Sequence, residues 1–198
     1  KANWDEAYLY LRIAMDHFEG ETAIVPIDTL PGEGSQTYDG VTFARAADFV
    51  LVVDGKENTR LLVDPYYNPN YKVYSTNVFL PEELAQFLQP ESGRFIDVQQ
   101  VICNAMLMPK TGQTVPVQLW DTGKMIYGVS NPSSAGYDSR ADFCAGDGFV
   151  EIRIPWMLLN VADPSSGEIL SNLHTDGAFL WEKIQNLYAG VALKGHTD

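Results

Sequence analysis

The stretch Phe149–Asn160, FVEIRIPWMLLN, constrains the fold most, because a strand pattern there runs straight into a helix-start signal. Val150, Ile152 and Ile154 alternate with Glu151 and Arg153, so one face suits a core and the other suits polar surroundings. Pro155 cannot donate to a sheet ladder but fits the first position of a helical turn. Trp156, Leu158 and Leu159 are therefore expected to close the end of a sandwich.

A chain of 198 residues buries roughly 70% of its unfolded surface, so one core needs neither a metal nor a disulfide to hold it. Ten tyrosines and four tryptophans favour strands and contact surfaces. The net charge of −13 and the lack of any basic run exclude phosphate-backbone binding, so nucleic acid is not expected as a partner. The charge is compatible with cation binding or with solubility alone. Cys103 and Cys144 allow one disulfide or two buried thiols, and their spacing resembles no zinc motif. No apolar run reaches the roughly 18 residues of a membrane span, so this segment is not expected to insert. The chain opens at Lys1, without methionine, and a strand pattern follows almost at once, as expected of a piece excised from a longer protein.

Ala7–Met15 reads as the first strand, with Leu9, Leu11, Ile13 and Met15 on one face and Tyr8, Tyr10 and Arg12 on the other. Thr22–Asp28 reads as a second, whose Pro26 places it at an edge or a bulge. Leu30–Gly40 reads as an exposed loop. Phe49–Asp54 and Arg60–Asp64 form the clearest hairpin. Pro65–Val78 carries Tyr66, Tyr67, Tyr71 and Tyr74 and reads as an ordered loop with rings near the surface, and Pro81–Leu88 as a short helix. Phe95–Ile102, Val115–Trp120 and Lys124–Val129 are expected strands, the last two joined at Asp121-Thr122-Gly123. Asn131–Asp147 reads as an irregular loop and Ala162–Asp176 as turns, before a last strand at Leu187–Leu193. These segments predict an all-β fold, an antiparallel, jelly-roll-like β-sandwich with one or two short helices. No repeat or linker divides residues 1–198, which read as a single module.

Two stretches, DEAYLYLRI at Asp5–Ile13 and VEIRIPWMLL at Val150–Leu159, together resemble the β-sandwich superfamily of family 9 carbohydrate-binding modules and DOMON-like ligand-binding domains. RLLVDPYYNP at Arg60–Pro69 and ADFCAGD at Ala141–Asp147 give a closer resemblance, to bacterial domains found in chains that carry family 2 glycosyltransferases. The resemblance implies a non-catalytic accessory module, because a transferase needs a nucleotide-sugar site with an Asp-x-Asp element that is missing here. It implies a glycan or polysaccharide, or neighbouring domains of a longer chain, as partners, in an extracytoplasmic or cell-surface setting.

Sugar-binding modules lay aromatic faces against the C–H faces of a pyranose and hydrogen-bond the hydroxyl rim. Tyr66 and Tyr67 beside Asp64 and Asn68 offer both components, as do Trp120 next to Asp121 and Tyr127 across the expected hairpin. These are the candidate carbohydrate-binding residues, set against a reading in which the tyrosines only pack over an edge. Asp28, Asp48, Asp54, Asp64 and Asp147 fall at strand ends, where a structural calcium has room, although no EF-hand spacing supports one. No other cofactor is expected. Met15, Met106, Met108 or Met125 with His17, His174 or His196 match no haem motif, and no nucleophile elbow or metal-ligand histidine pair is present.

Overall fold

The computed structural model describes residues 1–70, 93–103, 106–108, 110–172 and 179–195. From the N-terminus its strands are Ala2–Trp4 (β1), Tyr8–Ala14 (β2), Glu21–Asp28 (β3), Ser35–Tyr38 (β4), Val41–Ala47 (β5), Phe49–Val53 (β6) and Arg60–Val63 (β7). Next come Ile96–Asp97 (β8), Gln99–Cys103 (β9), Met106–Met108 (β10), Gln113–Val115 (β11), Gln118–Asp121 (β12), Phe143–Gly146 (β13) and Phe149–Pro155 (β14). Val161–Asp163 (β15), Glu168–Asn172 (β16), Leu180–Lys183 (β17), Tyr188–Ala189 (β18) and Ala192–Gly195 (β19) complete the chain. The strand pairs are antiparallel, and among the described residues helix is confined to single turns such as Gly55–Asn58 (α1), which joins β6 to β7. The expected all-β class holds.

One sheet has the order β1-β2-β14-β13. Its register sets Leu9 opposite Ile154, Leu11 opposite Ile152 and Ile13 opposite Val150. The two most regular apolar alternations in the sequence thus meet face to face, and all six side chains are buried. A second sheet runs β3-β6-β7-β8, with β18 and β19 paired along the far side of β3. Ala23, Val25, Ile27, Phe49, Leu51, Val53, Leu61 and Val63 from this sheet share one apolar cluster with the inner face of the first. Each large side chain removed from water there contributes about 1.5–3 kcal/mol.

The second sheet is buried on its other face as well. Ile24 and Val50 pack there against Phe43 and Ala47 of β5, which explains why β6 reads as the unbroken apolar run FVLVV. Leu30–Gly40, expected as an exposed loop, adds Tyr38 to this cover. It contains β4, paired with β5 through a two-residue turn at Asp39-Gly40 whose φ angles of 48° and 76° are the left-handed pair that such a hairpin requires.

Pro26 lies in the interior of the sheet, neither at an edge nor at a bulge. It pairs with Val50 on one side, and on the other it faces the break between β18 and β19, where its carbonyl accepts the Gly190 N–H at 3.1 Å. The missing N–H points to the same side as that carbonyl, so the interruption leaves no ladder bond unmade.

Pro155 still pairs with Tyr8, and the 3-10 turn Trp156–Leu159 follows it. Trp156 and Leu159 are buried as expected, and the indole N–H donates to the Asp5 carbonyl at 2.8 Å. Asn160 ends the turn at φ 58°, a left-handed conformation that asparagine tolerates.

Other expected elements come out divided. Phe95–Ile102 becomes β8 and β9, and Leu187–Leu193 becomes β18 and part of β19. Lys124–Val129 makes only isolated bridges, while β13, β15 and β16 arise in stretches read as loop or turns. The expected helix Pro81–Leu88 lies outside the described residues.

Candidate functional site

The tyrosine turn is built inward. Asp64 caps the 3-10 turn Pro65–Tyr67, accepting the Tyr66 N–H at 2.9 Å on Oδ1 and the Ser35 hydroxyl at 2.6 Å on Oδ2. Burial pushes its carboxyl upward, against these hydrogen bonds. Tyr67 is 1% exposed, sits edge-to-face on Phe49 with centroids 5.7 Å apart, and donates its hydroxyl to the Leu170 carbonyl. Asn68 is also buried, its Oδ1 accepting the Asn70 N–H at 3.1 Å. Asn160 reaches the turn from the far end of the sequence, donating Nδ2–H to the Tyr67 carbonyl at 2.9 Å. The expectation of rings near the surface is thus corrected for Tyr67, and Tyr66 is half-buried. Four expected site residues, Asp64, Tyr66, Tyr67 and Asn68, do come together, but as a plug in the core.

Trp120 and Tyr127 are accessible and are not cross-strand partners. Trp120, 64% exposed, pairs with Gln100 of β9. The expected hairpin fails because the chain after Asp121 runs along β7 instead, with the Gly123 carbonyl accepting the Leu61 N–H at 2.8 Å. Only glycine permits that approach, since a Cβ at position 123 would lie 2.4 Å from the Leu61 carbonyl oxygen. Tyr127 stacks on Phe18 with centroids 6.0 Å apart and meets Phe143 edge-on at 5.3 Å, with the Lys56 ammonium 5.0 Å from its ring centre.

The most developed surface feature lies elsewhere, on the solvent side of β1-β2-β14-β13. The same alternation that sends Leu9, Leu11 and Ile13 inward sends Tyr8, Tyr10 and Arg12 outward, and the register sets Tyr10 opposite Arg153 and Arg12 opposite Glu151. Asn3 and Cys144 flank them from β1 and β13. All of these side chains except Tyr8 border an open cleft of about 550 Å³.

Its polar groups are held in place. The Tyr10 hydroxyl donates to Asp5 Oδ2 at 2.8 Å, which, with the Ala7 and Tyr8 N–H groups, keeps the Asp5 carboxyl below the usual range. The same bond raises the Tyr10 phenol, with burial adding to it. Arg153 donates Nε–H to the Ala141 carbonyl at 2.9 Å and Nη2–H to Ser139 at 2.6 Å, and its guanidinium lies 4.8 Å from the Tyr8 ring centre. Arg12 sits 3.6 Å over the Phe149 ring and 3.3 Å from Glu151. Tyr8 and Tyr10 have their ring centres 6.0 Å apart. Deeper in the cleft, burial raises the Asp142 carboxyl, which accepts the Ile126 N–H at 2.9 Å. Cys144 is a half-buried free thiol raised by burial and by Glu151, which leaves it a poor nucleophile.

The arrangement offers one aromatic ring, that of Tyr10, beside oriented donors and acceptors. It can hydrogen-bond a hydroxyl-rich ligand and pack on its apolar faces. Sequence reasoning passed over these residues because their alternation was read as framework. The usable signal was the outward set Tyr8, Tyr10, Arg12, Glu151 and Arg153 on the two best strands, but nothing in the sequence shows that those strands are neighbours.

The aspartates expected around calcium separate. Asp28, Asp48 and Asp64 are buried near one end of β3, β6 and β7, whereas Asp54 accepts the Thr22 hydroxyl at 3.2 Å and Asp147 is exposed in the β13–β14 turn. Among the described residues no group of three or more His, Cys, Asp or Glu side chains could hold a metal ion, and no helix is long and apolar enough to cross a membrane. Compared with protein families, curated proteins and solved structures, the chain finds no match.

Proposed function

We propose that this chain is a non-catalytic, carbohydrate-binding-like β-sandwich module, an accessory part of a larger bacterial protein that it holds near a glycan outside the cytoplasm. The observation that carries the reading is the cleft on the solvent side of β1-β2-β14-β13. Its volume of about 550 Å³ suits one or two sugar rings. Tyr10 supplies a ring face, and Asn3, Arg12, Glu151 and Arg153 supply hydrogen bonds for a hydroxyl rim. Because Arg12 is paired with Glu151 and Arg153 with backbone carbonyls, the cleft favours a neutral polysaccharide over an acidic one. The two strands that carry the resemblance to family 9 carbohydrate-binding and DOMON-like domains are the two that line it. A glycan array followed by calorimetry tests this. Binding to a neutral polysaccharide that is lost in Tyr10→Ala is expected, and a folded protein that binds no polysaccharide contradicts it.

A second reading, a structural or interdomain-docking module, is favoured by one observation. Phe179, Leu180 and Trp181 are all exposed in a row leading into β17, an edge strand. A large rise in melting temperature on restoring flanking segments of a longer chain, without glycan binding, would select it.

A further inference from the structure

A pocket of about 320 Å³ lies at the β1 edge of the first sheet and meets the cleft only at Ala2. β1 forms one wall of it. Because β1 pairs with β2 in a register that sets Trp4 opposite Leu9 and Ala2 opposite Leu11, the Trp4 side chain belongs to the inward face of the sheet, away from the cleft. It is nevertheless 56% exposed, whereas Leu9, Leu11, Ile13, Val150, Ile152 and Ile154 on the same face are all buried. An inward-facing tryptophan is thus left without the cover that its neighbours have.

The floor of the pocket is formed by Leu9, Val161, Ile169 and Trp156, all of them buried. Ile184 and Leu187, which follow β17, line it as well and pack against the same core cluster. The turn between β15 and β16 closes one side through the Gly167 carbonyl, which accepts the Ile184 N–H at 2.9 Å. Two exposed amide side chains, Gln185 and Asn186, stand on the rim. No lining residue is charged, in a chain where 20% of residues are.

This lining selects its occupant. A charge moved into an uncharged, apolar site loses its hydration with nothing to replace it. A sugar ring also fits poorly, because its buried hydroxyls would go unpaired: the one polar side-chain atom among the four floor residues, the Trp156 indole nitrogen, is committed to the Asp5 carbonyl at 2.8 Å. A protein partner lacks area. Of the lining residues only Trp4 is a large exposed hydrophobic, while a stable interface covers about 800 Å² on each partner. We propose that the pocket binds a small uncharged aromatic molecule of one or two rings. It lies against Trp4 and Trp156, buries its apolar edge on Leu9, Val161 and Ile169, and turns a polar group toward the amides of Gln185 and Asn186. The volume is that of a small-ligand site, and its use is independent of glycan binding in the cleft.

Titration of the protein with indole, followed through the backbone amide and tryptophan N–H signals by NMR, tests the proposal. Indole has two rings, no charge and one N–H donor. Saturable shifts are expected at the Trp4 indole N–H and at the amides of Gly167, Gln185 and Asn186, with Arg12 and Arg153 of the cleft unmoved. Trp4→Ala is expected to weaken binding about tenfold or more, and Trp4→Phe, which keeps a ring, to retain most of it. Indoleacetate, the same rings with a carboxylate, is expected to bind at least about tenfold more weakly than indole. Methyl glucoside is expected to leave these signals in place. Should Trp4→Ala not fold, the position of the wild-type shifts and the comparison with indoleacetate decide the matter. Shifts that do not saturate, equal affinity for indoleacetate, tighter binding of the glucoside than of indole, or binding undiminished in a folded Trp4→Ala would overturn the proposal. So would a dimer in sedimentation that Trp4→Ala dissociates, which would assign the pocket to a second copy of the chain.

Discussion

The turn Asp64–Asn68 and the outward face of β2 and β14 hold the same kinds of residue, tyrosines beside charged and amide groups, and use them in opposite ways. In the turn, Tyr67 is enclosed and its hydroxyl is committed to the Leu170 carbonyl, while Asp64 and Asn68 serve backbone and hydroxyl groups in the interior. On the sheet, Tyr10 commits its hydroxyl to Asp5 yet leaves a ring bordering an open cleft. Composition does not distinguish a plug from a platform. Position does: the turn lies where β7 runs out over the core, and the sheet face alternates away from it.

Substitutions sharpen this contrast. Tyr67→Ala and Trp156→Ala empty buried volume and are each expected to lower the unfolding free energy by about 3–5 kcal/mol in chemical denaturation. Tyr10→Ala is expected to cost far less stability and to remove binding. Gly123→Ala drives a Cβ into the Leu61 carbonyl and is expected to destabilise by about 1–3 kcal/mol. Tyr67→Phe keeps the ring and removes the donor to Leu170, for an expected loss of about 1–2 kcal/mol. Arg12→Ala breaks a half-exposed pair with Glu151, and its effect on stability is expected to stay within about 1 kcal/mol.

The strand class and the inward residues of β2, β6, β7 and β14 were legible in the sequence, because an alternating or continuous apolar run reports burial directly. So was the turn after Pro155, where local chemistry decides. The hairpin β4–β5 was legible in principle, since Asp39-Gly40 is a strong turn signal, but the low apolar content of β4 hid it. The limits of the short strands β8, β18 and β19 were not, because neighbours set them: Pro26 breaks β18 from β19, and β7 takes Gly123 away from the hairpin expected with Lys124–Val129. Burial of Tyr67 was hidden for the same reason. Its partners Asn160 and Leu170 lie far along the chain, and no local pattern announces them.

The placement of the site on the sheet face is tested most directly by following backbone amide shifts of the folded protein through titration with a panel of soluble glucans, xylans and mannans. With one of them, saturable shifts are expected at Tyr10, Arg12, Glu151 and Arg153, and they should vanish in Tyr10→Ala while the fold persists. Shifts centred on Trp120 that leave β2 and β14 unmoved, or binding that survives Tyr10→Ala unchanged, would contradict it.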